Sequence, residues 1–245
     1  MNAFPGGTSL TGLEVYTDAA PDGICGGSPH VHLVSTEAYV VISGRGELHT
    51  IDAEGYRESP LVAGSVVWFT PGTVHRAVNH GELRVIVLMS NGGLPEAGDA
   101  VLTFPADVVA DAEAYADAAS LGEPAERETR ASRRRDLAVS GFEALRDAVE
   151  AGDRGPLDAF YAAAVARVQS RATAWGALVR EGPLAQAENA MNLATAVATG
   201  SWTHLGDARV RSADPASGEA AFGMCGRLRT YDFTTDIDDH QENQQ

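Results

Sequence analysis

The hydrophobic period of this chain changes at Leu102. Ahead of that point lie seven short β-rich runs, "LEVYT", "HVHLV", "AYVVIS", "GELHTI", "SVVWFT", "RAVNH" and "LRVIVLMS". Short strands with turn signals at close spacing fold as an all-β sandwich or barrel. The loops between them carry the right chemistry. "SGRGE" and "DAEGY" are hairpin-like, and "TPGT" sets proline and glycine in series. Beyond Pro105 the chain turns alanine-rich and its period becomes helical. The expected fold class is therefore α+β. A small antiparallel β-barrel over 1–104 is followed by a helical region over 105–200. A C-terminal segment over 201–245 carries short strands and an acidic tail.

In the helical region, Val108, Ala112, Tyr115 and Ala119 share one face, and Pro105 suits a first helical turn. A second helix, over about 129–151, sets Leu137, Gly141, Leu145 and Ala148 on a stripe. "AGDRGP" ends it, with Gly152 placed as a C-terminal cap. A third stripe runs through Leu157, Phe160, Tyr161, Ala164, Val168 and Trp175 until "EGP" at 181–183 breaks it. A last helix, to about Gly200, is expected to turn Leu184, Ala187, Met191 and Ala194 inward. These stripes need a surface to cover them, either in the same chain or in the mate of a homodimer. After Gly200, "DARVRS" and "EAAFGMCGRLRTYDF" read as two strands about a turn at "ADPASG", and "TTDIDDHQENQQ" as a frayed acidic tail.

The 245 residues suffice for one core plus a smaller satellite, and a net charge of -16 opposes binding to nucleic acid or an anionic membrane. No window approaches about eighteen consecutive apolar residues. The N-terminal stretch has no basic segment leading into an apolar one, so a cytoplasmic location is expected. Two cysteines, Cys25 and Cys225, are too few for a disulfide framework, though one bridge is open to them.

The residues that carry chemistry are histidines and one carboxylate. His30 and His32 are two apart, which on a strand puts both imidazoles on one face. Glu37 opens the next strand, and His75 follows the turn "TPGTV". Three imidazoles and a carboxylate converging inside a small barrel suit one divalent first-row ion: Fe, Mn, Ni or Zn. Four protein ligands on a six-coordinate ion leave two positions open. Solvent-facing strand histidines are the competing reading for His30 and His32.

This pattern resembles the cupin superfamily. That family's first motif is a glycine, five residues, H-x-H, three or four residues, E, six residues and G. Here His30, Val31 and His32 are followed by four residues to Glu37 and six more to Gly44. The leading glycine slot falls on Ile24, beside Gly23. The second motif runs from Gly64 through Pro71 and Gly72 to His75 and Asn79, with Thr70 where the pattern has its proline. The resemblance implies a jelly-roll barrel with His30, His32, Glu37 and His75 as metal ligands. It also implies a range of activities: dioxygenases, sugar isomerases and epimerases, lyases, and binding proteins without turnover. A dioxygenase-type oxidoreductase acting on a small organic molecule is the leading expectation. Fold alone does not select among these.

Tyr39 and Val41 share the face of Glu37 and stand either as pocket lining or as barrel core. Trp68 and Phe69 lie on opposite faces of one strand, so one of them faces inward, and Trp68 is the expected pocket residue. Asn79 serves either a substrate or a turn. His49 and Glu47 are the candidates for a general acid or base that a redox-neutral reaction would require. Arg127, Arg130, Arg133, Arg134 and Arg135 form a basic run in an acidic chain. Anion binding or an oligomer contact is one reading. A solvated helix face paired with Glu126, Glu128 and Asp136 is the favoured one.

Overall fold

The computed structural model describes residues 4–233, so the acidic tail expected at 234–245 lies outside the described residues. Nine strands form one antiparallel sheet. They are β1 (Ser9–Val15), β2 (His30–His32), β3 (Glu37–Asp52), β4 (Gly55–Val62), β5 (Val66–Phe69), β6 (Val74–Met89), β7 (Ala100–Leu102), β8 (Ala221–Phe222) and β9 (Gly226–Thr230). The main path runs β4-β3-β6-β1-β9-β8, with β5 on β3 and β2 bridging β6 to β7. The sheet rolls into the jelly-roll arrangement, but its hydrogen-bonded path stays open rather than closing into a ring.

Strand β3 changes its parity midway. Glu37, Tyr39 and Val41 point into the roll, the register shifts between Val41 and Gly46, and beyond it Leu48 faces the interior instead. Extra residues in one strand re-aim every side chain that follows. Gly44 sits in this stretch at φ 75°, where a Cβ would lie 2.2 Å from the carbonyl oxygen of Glu82, so only glycine fits.

Two apolar clusters result. Leu13, Tyr39, Leu48, Leu61, Phe69 and Val85 fill the roll. Val31, Ile51, Val74 and Leu102 face outward and are covered by Phe142, Leu157, Phe160, Ala164 and Val168 from the helices. The helical region thus packs on the sheet of its own chain. Its elements are α1 (Ala106–Ala110), α2 (Ala112–Ala119), α3 (Arg127–Glu150), α4 (Gly155–Ala172), α5 (Trp175–Val179) and α6 (Ala185–Ala198). Burying a side chain such as Phe142 or Leu157 contributes about 1.5–3 kcal/mol. Close approach of α3 depends on Gly141, where a Cβ would lie 2.0 Å from the carbonyl oxygen of Thr103. Gly152 caps α3 at φ 82°, as its position after the stripe predicts.

Four expectations are corrected. The first helical stripe is split at Asp111, whose carboxylate accepts from the amides of Glu113 and Ala114 and starts α2. At "EGP" the helix does not break. A wide π-helical turn over Arg180–Leu184 accommodates Pro183, which lacks the N–H of a regular turn. Helix α6 then buries none of its residues, and Leu184, Ala187, Met191 and Ala194 are all exposed, because the chain offers its stripe no facing surface. "DARVRS" is not a strand either, having no sheet edge opposite it. Beyond Gly200, among the described residues, only β8, β9 and a bridge from Pro215 to Tyr231 pair. Among the described residues no helix is long and apolar enough to cross a membrane.

Candidate metal centre

Strand pairing brings the two sequence motifs together. His30 on β2 lies directly opposite His75 on β6, and β3 carries Glu37 alongside. The His30 and His75 rings are 4.2 Å apart between centroids, and His32 is 5.1 Å from His30. One ligand atom from each of His30, His32, Glu37 and His75 falls within 4.8 Å of all the others. Ligand bonds of about 2.1 Å put donors on a single ion about 3–4 Å apart, so a small inward closure would seat one. All four residues are buried.

Two of the ring nitrogens facing away from the centre are tied down. His30 Nδ1 donates to the Ser28 carbonyl at 3.0 Å and His75 Nδ1 to the Thr73 carbonyl at 3.1 Å. Both rings are thereby held with Nε2 turned toward the centre. His32 Nδ1 lies 3.4 Å from Asp99 Oδ2, and its Nε2 lies 3.3 Å from Glu37 Oε2. His75 Nε2 is 3.3 Å from the same Glu37 oxygen. Neither Glu37 Oε2 nor His75 Nε2 makes a well-formed hydrogen bond. Buried polar atoms without such a partner, aimed at one point, fit a metal ion.

The electrostatics agree. Burial opposes the charge on Glu37, but His75 and His32 outweigh it and hold the carboxyl well below its ordinary range. Burial also opposes charge on His32, yet Asp99 and Glu37 lift it to about 9. His30, buried beside His75 and His32, is pushed well below 6.5 and stays neutral. The centre therefore holds positive charge between two carboxylates, with a proton on His32 in the place a cation would take.

Asp99 is a part of this centre that sequence reading misses. Besides facing His32, its carboxylate accepts from the amides of Leu33, Val34 and Ser35 at 2.8–3.1 Å. A single acid in the loop "EAGDAV" shows no spacing signal.

Of the expected pocket residues, Tyr39 lines the cavity of about 350 Å³ that opens on the histidines. Its hydroxyl lies 3.7 Å from Cys225 Sγ. Burial raises both, the Tyr39 phenol well above 10 and the Cys225 thiol to about 12. Cys25 and Cys225 are both free thiols. Val41 belongs to the interior core, away from the cavity wall. Trp68 is on the outer face, 69% exposed. Phe69 lies opposite Glu37 in register, so Phe69 takes the inward position and packs on His75 at 4.3 Å between centroids. Asn79 serves the turn: it donates to the Val15 carbonyl and accepts from the amides of Gly81 and Leu83.

His49 and Glu47 lie on the other side of the sheet. After the register shift, His49 is paired with Arg76 while Thr50 is paired with His75, so His49 and His75 point to opposite faces. His49 instead joins Glu47 at 3.4 Å and the Tyr56 hydroxyl at 3.0 Å. The arginine run divides three ways. Arg130 pairs with Glu126 and Asp117 on the surface. Arg135 is buried and pairs with Asp18 and Asp136. Arg134 is buried and turns into the cavity.

Residues 17–90 match the family model for the cupin domain. No curated protein matches the chain. Among solved structures, an uncharacterised conserved protein with a double-stranded beta-helix domain from Klebsiella pneumoniae is 27% identical. The match covers 34% of this chain and 64% of that one, with a TM-score of 0.25. A Cupin 2 conserved barrel domain protein from Salinispora arenicola is 23% identical over 36% of this chain and 66% of its own, with a TM-score of 0.26. The DMSP lyase DddQ from Ruegeria pomeroyi is 26% identical over 39% and 43%, with a TM-score of 0.30. The chain spans less than two thirds of the length of each of these structures.

Proposed function

We propose that this chain, a member of the cupin superfamily through residues 17–90, holds one divalent ion, iron(II), on His30, His32, Glu37 and His75, in an oxidoreductase of dioxygenase type acting on a small organic molecule. Three imidazoles and one carboxylate suit iron, with manganese, nickel and zinc as its competitors. When bound, the ion would offer two open positions to substrate and dioxygen.

One observation carries the oxidative reading over a redox-neutral isomerase, epimerase or lyase. A redox-neutral proton shift needs a group that gains and loses a proton near neutral pH. His49 and Glu47 face away from the cavity. The groups beside the donors, Tyr39 and Cys225, are kept protonated by burial. What the chain's own residues do is position and exclude. Asp99 and two backbone carbonyls orient the imidazoles, and Phe69 and Tyr39 wall off water.

The homodimer belongs to the same reading. The exposed stripe of α6, with Leu184 at 45% and Met191 at 71% exposure, suits a second copy of itself.

Elemental analysis of protein purified without a metal-affinity step is the test, paired with oxygen uptake across a panel of small organic acids. Iron near one per chain with substrate-dependent oxygen uptake is expected. Zinc or manganese without oxygen consumption would replace the oxidative reading with the redox-neutral one. Loss of metal in His75→Ala with no reaction altered in the panel would leave a binding protein without turnover.

A further inference from the structure

Arg134 is a buried member of the basic run that no ion pair explains. It is 7% exposed, and its guanidinium has no carboxylate within ion-pair distance among the described residues. Nη2 donates to the Gly223 carbonyl at 2.6 Å, an oxygen that also accepts from the Tyr16 hydroxyl at 3.0 Å. Nε has no partner. Burial lowers its pKa, but an arginine stays charged at any ordinary pH. A buried cation with five N–H donors and a single described bond is unfavourable unless an anion completes it.

The place where that anion would sit is defined. Arg134 lines the same cavity of about 350 Å³ as His30, His32 and Glu37. Much of the remaining wall is apolar, with Val87, Met89, Met224 and Leu228. Among the described residues Arg134 is the only lysine or arginine in that wall, which also carries Glu37 and, at its exposed edge, Glu96. A single arginine in a wall that already holds two carboxylate side chains favours a monoanion over a phosphate dianion. A planar guanidinium fork matches a carboxylate.

We propose that this cavity binds a small monocarboxylate, its carboxylate on Arg134, its apolar body along Val87, Met89 and Leu228, and its far end at the His30–His32–Glu37–His75 cluster. This names the substrate class for the centre described above. The reacting end rests on the metal reading, whereas the carboxylate site rests on Arg134 alone.

Calorimetric titration with hexanoate and with its neutral match, hexanamide, tests it. The protein is used as purified and after chelator treatment, with metal content measured in parallel. Wild type is expected to bind hexanoate ~10-fold or more tightly than hexanamide, since one charge-assisted contact separates the two. Arg134→Gln should erase that preference while keeping its metal content, and Arg134→Lys should keep part of it. Equal binding of hexanoate and hexanamide by wild type would overturn the proposal, whether or not metal is present. So would an undiminished preference in folded Arg134→Gln, judged by circular dichroism. If Arg134→Gln does not fold, the wild-type comparison and Arg134→Lys still decide. An Arg134-dependent preference in protein that holds no metal as purified would support the carboxylate site and sink the metal reading. Full metal without the preference would do the reverse.

Discussion

Asp99 Oδ2 lies 3.4 Å from His32 Nδ1, on the side of the ring turned away from Glu37. The same carboxylate gathers three backbone amides from the loop that joins β2 to β3. It therefore sets both the orientation of a ring and the path between two donor-bearing strands.

Asp99→Asn should weaken metal retention about 10–100-fold, the usual cost of losing an orienting partner behind a metal-binding histidine. Competition against a chelator of known affinity measures it. Retention equal to wild type would show that the backbone alone positions His32.

Asp22→Asn should destabilise the fold by about 3–5 kcal/mol, because it strands a buried charge. Arg76 is 1% exposed and is held by the Asp22 carboxylate and the Ile24 carbonyl. Burial works against the Asp22 charge, but Arg76 and the local amides lower its pKa below 3.8. With the folded value depressed, this stabilisation is present above the unfolded value and is lost as pH falls below it toward the folded one. Urea unfolding from pH 3 to 7 should show wild type losing stability at the acid end, with a smaller loss in Asp22→Asn.

Native-state alkylation at pH 8 should label Cys25 and spare Cys225. The thiolate is the reactive form, and burial holds the Cys225 thiol up at about 12. Cys25 is partly accessible. Peptide mass spectrometry before and after unfolding reads both sites. Rapid labelling of Cys225 in folded protein would mean that the cavity opens readily.

Met191→Glu combined with Leu184→Glu should convert the proposed dimer to monomer without changing thermal stability by more than a few degrees, since neither side chain is buried in the chain itself. Light scattering after size exclusion gives the mass. A wild-type monomer would remove α6 as a dimer contact.

The strands around the centre are legible because period two and the glycine turns act locally. His30, His32, Glu37 and His75 are legible because their spacing encodes convergence. What escapes is set by pairing across the chain. Choosing Phe69 over Trp68 requires the register that puts Phe69 opposite Glu37. Excluding His49 requires the register shifts after Val41, which reverse the parity of β3. Arg134 does leave a trace in the sequence. It stands four, seven and eleven residues ahead of Ala138, Gly141 and Leu145, on the buried stripe of α3. Neighbouring carboxylates in the sequence made a solvated face the simpler reading.

Strand β9 pairs with β1, matching Gly226–Thr230 to residues that precede them by more than 200 positions. The turn just ahead of β9 supplies Gly223, Met224 and Cys225 to the cavity wall. During synthesis the histidines and Glu37 emerge early, but that wall waits for nearly the whole chain. Pairings of such long sequence separation form slowly, so the donor cluster stands open to solvent and stray ions until β9 arrives. A nascent chain halted before residue 221 would carry every donor and no finished cavity.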